Sequence, residues 1–425
     1  MQLNRFYEKN RVERIKELFL NKVISEEDAV RLKDGLQLSA EVADHMIENQ
    51  IGKYELPLGA ALNFLIDQKE YVVPMAIEEP SVIAAASSAA KLINQAGGFQ
   101  TTIQNRTMIG QIALKDIPDI SYAQEILIKN QTAILQQVNE AHPSIVKRGG
   151  GAREIVVRPI APDQTFKTPS FLVVHLHIET MEAMGANIID TMVEAIKPYL
   201  EELTNGTALM GILSNYATEC LATASCHIPA SLLKKGNYSG EEVRDRIIAA
   251  SQFAIADPYR AVTHNKGIMN GIDSVVLATG NDWRAIEAGA HAYAARSGQY
   301  RSLSTWNKAV NGDLIGSLTV PLPIGTVGGS MNIHPAARFS KRLLGCQNAK
   351  ELESIIVSVG LGQNFSALKA LVTEGIQKGH MALQAKSLAI SAGAKGKDVN
   401  YVADQLKQRK NMDFATATEI LRQLQ

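Results

Sequence analysis

Between about residues 105 and 215 the apolar pattern switches back and forth between the alternation of a strand and the longer period of a helix. No other stretch constrains the fold as much. MIGQIAL reads as a strand and YAQEILIKNQTAILQQVNEA as one long helix. The turn RGGG leads to the strand REIVVRPI, and the strand FLVVHLHIE, the helix NIIDTMVEAIKPYLEEL and the segment ALMGILSN follow. Strand, helix, strand, strand, helix, strand is a split βαβ order, the order of a ferredoxin-type sandwich. The expected fold is therefore α+β and multidomain. Residues 109–215 form a ferredoxin-like unit inserted into a large α/β body of residues 1–108 and 216–374.

The flanking segments read in the same way. EKNRVERIKELFL and SEEDAVRLKDGL are amphipathic helices, the second with an acidic start. Tyr71–Met75 is short, apolar and β-rich, and Pro80 opens the helix PSVIAAASSAAKLI with Glu78 and Glu79 at its mouth. SLTVPLPI alternates as a strand and the turn GTVGGS follows it. AKELESIIVSVGLGQ and NFSALKALVTEGI read as two helical stretches. Beyond Gly379 the chain is helical again, broken by SAGAKGKD, so residues 375–425 are expected to form a small C-terminal flap.

A chain of 425 residues exceeds one ordinary core, and 46% hydrophobic content supplies more than one. The 43 basic and 43 acidic residues cancel, which excludes a whole-chain basic field for nucleic acid or anionic membrane. The first residues, MQLNRFYEKNRVERIKELF, carry charge throughout and lack the apolar core of a signal peptide. No stretch has eighteen uninterrupted apolar residues. Cys220, Cys226 and Cys346 are odd in number, with no CxxC and no zinc-type spacing, so no metal is expected and a reduced cytoplasmic location fits.

Neither GxGxxG after a strand nor GxxxxGK[ST] occurs, so any nicotinamide is held without a Rossmann turn. Polar residues concentrate at four places inside apolar sequence. VVPMAIEEPSV holds Glu78, Glu79 and Ser81, which read either as helix caps or as a carboxyl for proton transfer. DPYRAVTHNKGIMNGIDSVVLATGNDWRA holds Arg260, His264, Asn265, Lys266, Asn270 and Asp282. There a buried structural ion pair competes with a buried lysine that stabilises a developing alkoxide. Asn364 in GLGQNFSA reads as an N-cap, and His380 in EGIQKGHMAL as a surface histidine or a glycine-hinged proton donor. His175 and His177 share one face of a strand, where packing is favoured over metal binding.

Taken together, these segments resemble the class II, bacterial-type 3-hydroxy-3-methylglutaryl-CoA reductases. The strings that carry the resemblance are ENQIG at 48–52, VPMAIEEPSV at 73–82, EAMGAN at 182–187, ILSN at 212–215 and DPYRAVTHNKGIMNGID at 257–273. ATGNDWRA at 278–285, GTVGGS at 325–330, GLGQN at 360–364 and EGIQKGHMAL at 374–383 complete the series, in order along the chain. The resemblance implies a four-electron reduction of the thioester to mevalonate and CoA with two NAD(P)H, in isoprenoid synthesis or in reverse. It implies a homodimer or higher oligomer with active sites between subunits. By position it implies Glu79, Lys266, Asp282 and His380 as catalytic residues, and Ser81, Arg260, Asn270 and Asn364 as substrate contacts. It places Glu182, Met184, Gly185, Ala186, Asn187, Asn215, Gly328 and Gly329 near the cofactor. The family's usual DAMGAN is EAMGAN here and its ENVIG is ENQIG. NAD-specific relatives place an acid a few residues before the GGG turn. His142 stands there, with Lys147 and Arg148 close by, so NADPH is the expected cofactor, with NADH possible.

Two other readings compete. A thiolase-like acyltransferase needs a reactive cysteine, and the three cysteines lack an evident activating context. A catalytically dead scaffold on the same fold is opposed by the joint presence of Glu79, Lys266, Asp282 and His380.

Overall fold

The computed structural model describes residues 3, 5–375, 385–409 and 411–424. Three short helices come first: α1 (Arg11–Leu20), α2 (Glu26–Lys33) and α3 (Ala40–Met46). Asn10, Ser25 and Ser39 cap them through side-chain oxygens, and Glu13 bonds back to the Asn10 amide. The hairpin of β1 (Leu58–Ile66) and β2 (Lys69–Ala76) turns on Asp67 and Gln68, both at positive φ. Then come α4 (Val82–Gln95) and β3 (Phe99–Ile103), with β3 parallel to β1.

The chain now leaves this sheet for a second one. The second sheet contains β4 (Thr107–Lys115), β5 (Gly151–Ile160), β6 (Phe171–Glu179) and β7 (Thr207–Ser214). Between β4 and β5 lie α5 (Ile120–Lys129), α6 (Gln131–Ala141) and α7 (Pro143–Lys147), and α8 (Ala186–Thr204) joins β6 to β7. The strand order is β5-β6-β4-β7, antiparallel throughout, which is the ferredoxin-like arrangement expected from the order of elements. Ile112, Leu114, Leu172, Val174, Leu176 and Ile178 pack with Ile189, Met192, Val193 and Ile196 of α8 in one core. The single long helix expected over residues 122–141 is two helices, because Asn130 leaves helical geometry at φ −97° and ψ 12°.

The chain then returns to the first sheet. It contributes β8 (Leu221–Ile228), α9 (Gly240–Ala256), α10 (Pro258–Ala278), α11 (Trp283–Ala294), β9 (Ser304–Lys308) and β10 (Leu314–Pro321). The six-stranded order is β2-β1-β3-β8-β10-β9. Two helices follow, α12 (Pro335–Leu344) and α13 (Ala349–Val372). The two helical stretches expected here are one continuous helix. Every residue from Leu352 to Phe365 is buried, so α13 runs through the core as a helix apolar on nearly all sides. Its length and composition match a membrane span, but here it packs in the large core with Ile272, Phe99 and Leu318.

The helices Lys397–Gln408 and Phe414–Arg422 share a separate small core with Ala385 and Ala389, built on Val402, Leu406, Ile420 and Leu421. His380 lies outside the described residues.

Candidate active site

The β1–β2 hairpin delivers Glu79 to the start of α4. That helix begins at Val82, two residues later than expected from Pro80, because Ser81 adopts φ 79° and stands as the N-cap. No side chain, of Ser81 or of Glu79, donates or accepts a capping hydrogen bond at this helix start. The Ser81 hydroxyl is buried without a hydrogen-bond partner among the described residues. The Glu79 carboxylate instead turns to α10.

Asp257 accepts the Tyr259 and Arg260 amides and Pro258 occupies the first helical position, so the start of α10 is fixed. Lys266 and Asn270, four residues apart, lie on one face of it. Lys266 Nζ donates to Glu79 Oε2 at 2.6 Å, and Asn270 Nδ2 donates to the same oxygen at 3.3 Å. The lysine is not buried as expected: its side chain is 59% exposed, and that of Glu79 is 34% exposed. Arg260 is half-buried with no ion-pair partner among the described residues, and burial lowers its pKa.

Asp282 does not reach Lys266. It caps α11, accepting the Arg284 and Ala285 amides at 3.1 and 3.2 Å, and pairs with Arg284 at 3.5 Å. Asn281 beside it grips Gly325 twice, accepting its amide at 2.8 Å and donating to its carbonyl at 3.2 Å.

Asn364 is neither an N-cap nor exposed, since α13 continues through it. Its Oδ1 accepts from Ser304 Oγ at 2.9 Å and Trp306 Nε1 at 2.8 Å, and its Nδ2 stands 3.0 Å from His264 Nε2. Burial pushes His264 down to about 3, so the ring is neutral. Sequence reasoning missed Ser304 and Trp306 as its partners, and also a second, half-buried cluster. In that cluster Asp273 meets Glu287, whose carboxylate pairs with His291 Nε2 at 2.6 Å. Burial, and then Glu287, raise the Asp273 pKa. The signal available was the spacing of Glu287 and His291, four residues apart in IEAGAHAY.

The residues expected near the cofactor fall into two groups. EAMGAN lies beside GTVGGS through the parallel bridge Ala183–Val327 and the Thr326 amide on the Glu182 carbonyl at 2.8 Å. Glu182 Oε2 accepts from Thr326 Oγ1 and from the Ala349 amide, both at 2.8 Å, so this carboxylate pins the start of α13. Met184 is half-buried, and its amide lies 2.9 Å from where a Cβ on Gly325 would stand. Gly185 has φ 100°, and a Cβ there would lie 2.3 Å from Thr180 Cγ2, so only glycine fits. Ala186 and exposed Asn187 open α8, whose N-terminus has no side-chain cap. Gly328 and Gly329 both have positive φ. Asn215 is exposed at the end of β7, against α11 at Gly289. Elsewhere, His142 precedes α7, its Nδ1 3.2 Å from Ser144 Oγ, with exposed Lys147 ending that short helix and exposed Arg148 just after it.

The cysteines are buried, and burial pushes the Cys220 and Cys226 thiols up to about 12, which opposes a thiolate nucleophile. His175 is bonded to Gln111 and Arg158, and His177 to Glu154.

Comparison with known proteins adds to this geometry. The family model described as hydroxymethylglutaryl-coenzyme A reductase matches residues 9–385. The 3-hydroxy-3-methylglutaryl-coenzyme A reductase of Archaeoglobus fulgidus is 43% identical over 420 residues, covering 99% of this chain and 94% of that one. A probable reductase of the same kind from Borreliella burgdorferi is 33% identical, covering 89% and 86%. A structure of the Streptococcus pneumoniae reductase matches with a TM-score of 0.86, 49% identity and full coverage of both chains. Another, described as the class II enzyme bound to NADPH in open conformations, matches with a TM-score of 0.85 over 88% of this chain and 100% of that one.

Proposed function

The chain belongs to the hydroxymethylglutaryl-coenzyme A reductase family, and from that premise we propose which of its residues carry the reduction of 3-hydroxy-3-methylglutaryl-CoA to mevalonate. The observation that carries the assignment is the convergence of Lys266 and Asn270 on one oxygen of Glu79.

Reduction of a thioester to an alcohol builds oxyanion charge twice and expels one thiolate. Lys266 stabilises the oxyanion through its ammonium. Glu79, joined to that ammonium, protonates the aldehyde oxygen in the second reduction. Arg260, without an anionic partner among the described residues, takes the distal carboxylate of the substrate through its planar fork. The unpartnered Ser81 hydroxyl and Asn270 complete the substrate contacts, with Asn364 placed behind them in the core. Asp282 acts on Lys266 once substrate has reorganised the site. His380 neutralises the departing CoA thiolate, whose thiol has a pKa of about 8.5 as in cysteine.

The cofactor supplies hydride at each reduction. Support for NADPH comes from the S. pneumoniae structure described as bound to it and from His142 standing where NAD-specific relatives place an acid. Gly185 brings the backbone close, the uncapped start of α8 at Ala186 and Asn187 offers amides to phosphate, and Lys147 and Arg148 suit a 2′-phosphate. Glu182 and Met184 belong to that loop, Gly328 and Gly329 follow the segment bridged to it, and Asn215 approaches the nicotinamide from the end of β7. The expected preference is NADPH over NADH, measured as kcat/KM for each cofactor. A large NADH advantage would reverse it.

We further propose a homodimer or larger assembly, supported by the open setting of Lys266, and a cytoplasmic location, supported by the buried unpaired thiols. The domain division proposed is 1–108 with 216–374 for substrate and CoA, 109–215 for nicotinamide and 375–425 as a flap. The deciding experiment is Lys266→Ala. Loss of its charge should lower turnover of both the CoA thioester and free mevaldehyde by roughly a hundredfold to a thousandfold. Near-normal turnover of either by a folded variant removes Lys266 from the mechanism.

A further inference from the structure

Arg106 stands where the chain passes from β3 to β4, between the two sheets. Its side chain is 5% exposed and that of its partner Glu353 is 1% exposed, with Nε 2.7 Å from Oε1. The guanidinium also donates through Nη2 to the Ile324 carbonyl and reaches the Ala183 carbonyl at 3.5 Å. Those carbonyls belong to the two segments joined by the Ala183–Val327 bridge. Glu353 lies one turn along α13 from Ala349, whose amide holds Glu182. One buried cation therefore ties together β4, the EAMGAN loop, the segment before GTVGGS and α13.

A buried ion pair is a costly way to gain stability, since apolar residues of similar volume often serve as well. Burial pushes the Glu353 carboxyl up to about 7 even with a guanidinium against it. Apolar side chains cannot hold two carbonyls at a fixed spacing, and that is what distinguishes this pair. We propose that Arg106 and Glu353 are positioning residues for the nicotinamide cofactor, fixing loop 182–187 against residues 324–329 and so setting cofactor affinity. This rests on the reading of 182–187 as a cofactor loop.

The test is the double variant Arg106→Leu/Glu353→Leu, which removes both charges and keeps the volume. Glu353→Gln alone serves if the double variant does not fold. NADPH affinity is measured by fluorescence titration, beside KM for the CoA thioester and the melting temperature. The expected result is NADPH binding weakened about tenfold or more, equivalent to roughly 1.4 kcal/mol. Thioester KM should stay within about twofold and Tm near the parent value. Arg106→Lys, which keeps the charge but not the fork, should give an intermediate loss. Unchanged NADPH affinity in a folded variant, equal loss of both substrates, or full restoration by lysine would overturn the proposal. Gly185→Ala separates the two levels. If it weakens NADPH binding while the Arg106 variants do not, only the positioning role fails. If Gly185→Ala has no effect either, the loop assignment fails and the proposal with it.

Discussion

Asn364 shows how a residue can be found by its motif and still be misjudged in its surroundings. GLGQN stands out in sequence because of its glycines, and a polar residue after glycine reads as a helix start. In the fold, that amide is the acceptor for two buried donors, Ser304 Oγ and Trp306 Nε1, and faces a neutral His264. None of these partners is within fifty residues of it in sequence, so no local pattern could reveal them. Removing the amide strands donors in the core, at about 1–3 kcal/mol each. Asn364→Ala should therefore lower unfolding stability by about 2–4 kcal/mol in a urea titration. A loss below about 0.5 kcal/mol would mean the network is satisfied without it. Glu79, Lys266 and Asn270 were legible for the opposite reason. They stand out locally as polar residues inside apolar strings, and the resemblance of those strings to the family supplied their roles.

At the scale of elements, the ferredoxin-like unit was readable because its strands and helices differ in period and each runs long enough to show it. Helix ends were less readable, because they depend on single backbone geometries. Ser81 at φ 79° delays α4 past Pro80, and Asn130 divides a helix whose apolar pattern is unbroken. Glycine misled most. Gly360 and Gly362 suggested a break in α13, yet they are there because neighbours press on the helix. A Cβ at Gly360 would lie 2.9 Å from Ile272 Cγ1 and from Leu318 Cδ2. Gly267 in α10, beside Lys266, has nothing within 4 Å of that position. The two glycines should respond in opposite directions. Gly360→Ala overpacks the core, at about 1–3 kcal/mol, which outweighs a helix-propensity gain of about 1 kcal/mol. Gly267→Ala keeps the gain and should stabilise by up to about 1 kcal/mol. Thermal unfolding of both variants checks this, and a shift of the same sign in each would refute the packing argument.

The whole molecule is organised around separate cores, and one of the smaller ones lies at the C-terminus. Val402, Leu406, Ile420 and Leu421 pack with Ala385 and Ala389, and not with the clusters of the large body. Such a unit, with a core of its own among the described residues, is the kind of element from which moving parts are drawn. The segment that carries His380 joins it to α13, and the proposed role of that histidine can be separated from the rest of the chemistry. A thiolate leaves only when the substrate is the CoA thioester. His380→Gln should therefore cripple thioester reduction while leaving reduction of free mevaldehyde near the parent rate. Equal damage to both in a folded variant would exclude the thiolate role. Motion is tested independently by hydrogen exchange of residues 385–424. If this unit closes over the site, its protection should rise when the thioester and cofactor are bound. Identical protection with and without them would make it a fixed cap, leaving His380 to act from a static position.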